Sequence, residues 1–226
     1  MSEKRPTVAL IHASPASVAP AKEAFAADFP DAQLWNLLDD RLVVDADAAG
    51  GLTRSLRDRM TTLITYAIEG GADAVQLSCS MYGPVAVEVA GTQAVTVLAS
   101  DQAMFDHVAS LRPQSVGVIG SLQSATSDSA ERLAAALSSQ GLDVRIETAV
   151  ADGAAQAANA GNGDLLAELV ATTAQTLGQS VELIVLAQYS LAPTLDVVQV
   201  VSPVPVLSPP HLAASTLAKI LGGGPQ

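Results

Sequence analysis

The sequence predicts an α/β protein of two pseudo-symmetric lobes, each a parallel four-stranded sheet flanked by helices, with a site in the cleft between them. Three features predict the fold. Apolar runs of strand length alternate with helical patterns, the runs are too continuously apolar to have one wet face, and the whole arrangement is written twice.

The duplication carries most of the information. At an offset of 108 to 109 residues the chain matches itself. TVALIHAS from Thr7 to Ser14 recurs as SVGVIGSL from Ser115 to Leu122, each a short strand followed by small polar residues and a helix-type segment. GADAVQLSCSMYGP from Gly71 to Pro84 recurs as SVELIVLAQYSLAP from Ser180 to Pro193, so Gln188 stands opposite Cys79 and Pro193 opposite Pro84. AVTVL from Ala94 recurs as PVPVL from Pro203. Helical patterns fill residues 52–68, 101–110, 129–139, 164–177 and 211–221. The first lobe is expected over residues 1–98, with a C-terminal helix in 209–226 packing back on it, and the second over 99–208. The Gly- and Ala-rich stretch 152–163 reads as a mobile surface loop, with a lid as the alternative, and the tail 222–226 as disordered.

Composition excludes several functions. The 226 residues carry a net charge of −12, from 23 acidic and 11 scattered basic side chains, which argues against nucleic acid. A small carboxylate remains a fitting partner, because backbone N–H groups and helix N-termini hold anions inside an acidic protein. The longest apolar stretches are strand-length, well short of the ~20 residues that span a bilayer, so no membrane is expected. One cysteine cannot form an intramolecular disulfide, and the N-terminus lacks the apolar core of a signal peptide. Cytoplasm is the default. Three separated histidines and one cysteine show no metal-ligand spacing, and no G-x-G-x-x-G, P-loop or G-x-S-x-G pattern occurs.

In open parallel sheets, ligands sit beyond the carboxyl ends of the strands. The loops after the first strands, 12–14 and 120–126, and after the third, 78–83 and 188–192, are therefore the candidate site. They hold small or neutral polar residues, among them Ser14, Ser78, Ser80, Tyr82, Ser121, Thr126, Tyr189 and Ser190, and no acid. Cys79 lies at a strand end, where a following helix N-terminus favours the thiolate; its ordinary alternative is an inert packing cysteine. His12 and His211 are candidate partners for the thiol in a cysteine hydrolase, although a capping or solvated loop histidine is the plainer reading of each. His107 reads as a surface residue. Asp39 and Asp40 either reach the cleft or are simply solvated, and Trp35 reads as core or interface packing.

Four segments, LWNLLDDRL from Leu34, GADAVQLSCS from Gly71, QAMF from Gln102 and LAQYS from Leu186, together resemble the aspartate/glutamate/hydantoin racemase superfamily over nearly the whole chain. The resemblance implies a cofactor-independent racemase or isomerase, with no metal, pyridoxal phosphate or nucleotide, acting at the carbon beside a carboxylate and forming a dimer. It implies Cys79 and Gln188 as the catalytic pair. It implies His12, Ser14, Asn36, Asp39, Ser80, Met81, Ser121, Thr126, Tyr189 and Ser190 as substrate contacts. Two-cysteine members move the proton between two thiols, whereas here the second position holds Gln188, which is no proton base. The alternatives are a one-cysteine decarboxylase of malonate-type acids, resembling arylmalonate decarboxylase, and a non-catalytic binding protein.

Overall fold

In a computed structural model, residues 5–222 are described, and the tail at 223–226 lies outside them. Contacts divide the chain into two compact units, residues 5–103 with 213–222, and Met104–Leu212.

In the first unit, β1 (Thr7–His12), β2 (Gln33–Leu38), β3 (Ala74–Leu77) and β4 (Thr96–Leu98) pair in parallel in the order β2-β1-β3-β4. Helices α1 (Val18–Asp28), α2 (Arg41–Ala49), α3 (Arg54–Glu69) and α4 (Gly83–Ala90) connect them, and α5 (Gln102–Leu111) follows. In the second unit, β5 (Ser115–Gly120), β6 (Arg145–Val150), β7 (Leu183–Leu186) and β8 (Val206–Leu207) repeat the order as β6-β5-β7-β8. Their connections are α6 (Gln123–Ser139), α7 (Ala154–Asn159), α8 (Gly163–Leu177) and α9 (Leu195–Val201), and α10 (Pro209–Gly222) closes the chain. Two parallel four-stranded sheets flanked by helices are therefore present, as the duplicated pattern predicts.

The continuous apolar runs have the consequence expected of them. Ile119, Ile184 and Leu186 bury one face of the second sheet against α7, α8 and α9. Val116, Val118, Leu183 and Val185 bury the other against α5 and α6. Helix α3 shows how the sequence specifies each layer. Thr53 caps it by accepting the Leu56 N–H at 3.3 Å, and Leu56, Met60, Ile64 and Ala67 recur at helical spacing to form its buried face.

Two local expectations are corrected. The stretch 152–163 contains α7, because its alanines favour helix and Ala154 and Ala157 bury into the core; Gly153 takes the left-handed φ of 85° at the entrance. Helix α6 begins at Gln123 rather than 129, because Thr126, Ser129 and Ala130 are buried on the face that carries Leu133 and Leu137. Trp35 packs on the first core, its ring 5.5 Å from that of Tyr66 and tilted at 59°.

Leu133 is fully buried in α6. Leu133→Ala is expected to cost about 2–5 kcal/mol by urea unfolding, against under about 0.5 kcal/mol for the exposed Val200→Ala. Equal midpoint losses in the two variants would contradict this description of the core.

Candidate active site

In the first unit, Asn36 of β2, His12 at the end of β1 and Cys79 just past β3 are carried by three adjacent strands. His12, the last residue of β1, is fully buried, which corrects the expectation of a capping or solvated loop histidine. Its Nε2–H donates to Asn36 Oδ1 at 3.1 Å, across the parallel pairing of β1 with β2. Its Nδ1 lies 2.9 Å from Ser78 Oγ and 3.1 Å from Ser17 Oγ. Because Nε2 carries the proton that Asn36 accepts, Nδ1 of the neutral ring is an acceptor. Two hydroxyl protons then run in sequence, Ser17 to Ser78 at 2.8 Å and Ser78 to His12, while Ser14 O, 2.9 Å from Ser17 Oγ, competes for the first. Burial pushes the His12 pKa below its ordinary 6.5, and the hydrogen bond to Asn36 opposes that shift.

Cys79 follows directly. It is half-buried, packs on the first core, and stands at the head of a 3₁₀ turn, Ser80–Tyr82, that leads into α4. Both flanks are fixed. Ser78 N–H donates to Ile11 O at 3.0 Å, and Tyr82 N–H closes the turn onto Cys79 O at 3.3 Å. Tyr82 is not a ligand group on a loop: it is fully buried, its hydroxyl donates to Leu42 O at 2.9 Å, and burial pushes its pKa up to about 12. Ser80 and Met81 are half-buried in the turn, and Ser14 heads the turn Pro15–Ser17, where its Oγ accepts the Ala16 N–H at 3.4 Å.

Asp39 is not simply solvated. Both carboxylate oxygens are taken by the Arg59 guanidinium at 2.6 Å, in the two-pronged geometry that suits Arg. Asp39 N–H also donates to His12 O at 3.0 Å, so the pair anchors the exit of β2 beside the histidine. Asp40 is exposed.

In the second unit Gln188 holds the position that Cys79 holds in the first, at the head of the 3₁₀ turn Tyr189–Thr194. Ser121 N–H and Ser121 Oγ–H both donate to Gln188 Oε1 at 2.9 Å. A backbone N–H can only donate, so the amide oxygen faces Ser121 and the two N–H donors of Nε2 face away. Among the described residues Nε2 has no hydrogen-bond acceptor, and Gln188 is half-buried. A depression of about 420 Å³ opens beside Ser121, lined also by Leu122, Gln123, Val150, Asp152 and Gln156. Thr126 departs from its expected role as a substrate contact. It is fully buried, donates to Leu122 O at 2.7 Å, and fills the space beside Gly120, where a Cβ would collide with Thr126 Oγ1. Tyr189 is buried and Ser190 half-buried.

Sequence reasoning missed Ser17 and Arg59 and gave Ser78 no role. Ser17 follows His12 by one short turn, a local signal; Arg59 sits twenty residues from Asp39 and gave none.

No protein-family model matches the sequence, and no curated protein does. Its architecture does have counterparts. The chain has the fold of the aspartate/glutamate racemases and of arylmalonate decarboxylase. A glutamate racemase from Bacillus anthracis superimposes with a TM-score of 0.72 over 97% of this chain and 83% of that one, at 10% identity. An aspartate racemase from Picrophilus torridus gives 0.70 over 96% and 94%, at 11% identity. Arylmalonate decarboxylase gives 0.66 over 98% and 95%, at 18% identity. Among the described residues no helix is long and apolar enough to cross a membrane.

The buried histidine sets a pH dependence. Its folded pKa lies below the 6.5 of the unfolded chain, so between the two values the unfolded state binds more protons. Stability from this source is complete above 6.5 and is lost as pH falls through the folded value. The midpoint of thermal unfolding is expected to be level above about pH 7 and to drop as pH falls below the ordinary histidine range, with a shallower drop in His12→Asn. An identical slope in the variant would count against a neutral buried ring.

Proposed function

We propose that the protein is a cofactor-independent enzyme that moves a proton at the carbon alpha to a carboxylate of a small acid or amino-acid derivative, with Cys79 as the acid/base thiol. The observation that carries this reading is the matched pair of strand ends: a thiol whose backbone is fixed on both flanks after β3, and an amide after β7 whose N–H donors are turned away from Ser121. In the step itself, the Cys79 thiolate takes the α-proton and becomes a thiol. The C–H electron pair moves into the carboxylate as an enolate, whose oxygens need hydrogen-bond donors, and the cycle closes when the carbon regains a proton. The hydroxyl of Ser80, in the turn that Cys79 heads, is such a donor, and the equivalent turn of the second unit carries Gln188 Nε2 and the hydroxyl of Ser190, donors without a fixed positive charge. Glutamate and aspartate racemases and arylmalonate decarboxylase share the fold, which supports carboxylate chemistry as a class.

Gln188 itself favours a second reading. An amide neither takes nor gives a proton near neutral pH, so the chain brings one thiol where two-way proton transfer between side chains needs two groups. Decarboxylation of a malonate-type acid needs one: the C–CO₂ bond breaks, its electron pair forms the enolate, and the thiol protonates the carbon. The thiolate then recovers its proton from water.

Incubation of aspartate, glutamate and phenylmalonate with the protein in deuterated water, followed by proton NMR and carbon dioxide release, separates these readings. Proton exchange without gas supports the isomerase, and gas from phenylmalonate supports the lyase. Cys79→Ala is expected to lower whichever rate is seen by ~10²–10⁴-fold. Undiminished turnover in that variant would end both readings.

A further inference from the structure

Beneath Cys79 lies a polar cluster that the fold does not require. The two units share one backbone plan there. Ser78 N–H donates to Ile11 O as Ala187 N–H donates to Ile119 O, at 3.0 and 2.8 Å, which makes Ser78 and Ala187 equivalent. The strands β1 and β5 pair with β3 and β7 in the same register, which makes His12 and Gly120 equivalent. The second unit therefore builds the same strand ends from glycine and alanine, with Thr126 filling the space beside Gly120. The first unit spends buried volume on an imidazole and two hydroxyls, each of which costs free energy to desolvate unless it is hydrogen-bonded.

That expense falls at the residue joined to Cys79. Ser78 Oγ is held by His12 Nδ1 at 2.9 Å and Ser17 Oγ at 2.8 Å, with Ile11 O at 3.3 Å. The imidazole is in turn held at its far edge by Asn36 Oδ1, while the carbonyl of Ser14, 2.9 Å from Ser17 Oγ, competes for the proton that Ser17 gives to Ser78. None of these partners carries a charge, so the cluster orients rather than neutralises. In the second unit, where Ala187 has no such anchor, the following residue is a glutamine positioned through its own side chain by Ser121. A thiol is a weaker hydrogen-bonding group than an amide, so the backbone that carries it weighs more in its placement.

We propose that His12 is a positioning residue for Cys79: as the Nε2–H tautomer it receives the Ser78 hydroxyl proton and locks the strand end from which the thiol projects. The inference rests on the reading of Cys79 as the proton-transferring group, but it is tested without turnover. The rate of Cys79 alkylation by iodoacetamide is measured against pH in the full chain. An Asn amide at position 12 overlays the Nδ1 edge of the imidazole and keeps the Ser78 contact, while a Gln amide reaches the Nε2 edge and keeps only Asn36. His12→Gln and Ser78→Ala are expected to alter the alkylation rate near neutral pH by about tenfold. His12→Asn is expected to stay closer to wild type than either.

A wild-type pH profile in His12→Gln overturns the inference, as does His12→Asn departing further than His12→Gln. Should the variants not fold, the ¹⁵N NMR spectrum of wild-type imidazoles decides: a protonated Nε2 and unprotonated Nδ1 for His12 support the arrangement, and a protonated Nδ1 refutes it. Failure of the functional reading looks different, since it appears as undiminished turnover in Cys79→Ala with the alkylation results intact.

Discussion

In each unit the N–H of the residue just past the third strand donates to the penultimate carbonyl of the first, Ser78 to Ile11 and Ala187 to Ile119. These bonds are the last rungs of the two central parallel ladders, and they set where every loop residue at the carboxyl edge begins. A one-residue slip in either ladder would exchange the buried faces, turning Leu77 and Ser78, or Leu186 and Ala187, to the wrong side. Both faces are packed with aliphatic side chains, so the slip is heavily penalised. The placement of Cys79 and Gln188 at the heads of matching turns therefore follows from core packing several residues away.

Much of this was legible because the sequence is written twice. The offset between TVALIH and SVGVIG fixed two first strands before any helix was considered, and the match of QLSC with VLAQ fixed two third strands. Periodicity placed α3 within two residues at its start and one at its end, because four buried residues recur at helical spacing and Thr53 marks the entrance. Helix α7 escaped because alanine and glycine carry no apolar contrast, so a short buried helix and a flexible loop read alike. The ion pair of Asp39 with Arg59 escaped for a different reason: it joins the end of β2 to a helix one element further on, and no local pattern reports such a contact.

At the site, the sequence revealed which residues stand at the strand ends but not which way each polar group is satisfied. His12 follows four apolar residues and precedes Ala13, a setting that suits either a buried ring or a solvated one. Its burial depends on Asn36 from an edge strand and Ser78 from a central one, partners 24 and 66 residues away. Thr126 shows the opposite error, for a hydroxyl in a small-residue loop looks like a ligand group until the helix begins early enough to enclose it.

On the proposed function, the two copies separate chemistry from binding. The first has a sulfur, whose single proton can be given up and regained, and fixes the backbone on both of its flanks. The second keeps an amide, which holds its protons under all ordinary conditions and offers them as donors; Ser121 turns its acceptor inward, so only donors are presented. An enolate is planar, and the face that receives the proton decides the stereochemical result. With one exchangeable side-chain proton in the pair, return from the same thiol gives exchange without inversion, and inversion demands a proton from water at the opposite face. Loss of carbon dioxide demands neither, since a single protonation completes it. On the proposed function, an amide at Gln188 thus bears on reaction type rather than on binding, because it offers donors to a carboxylate but no proton to carbon.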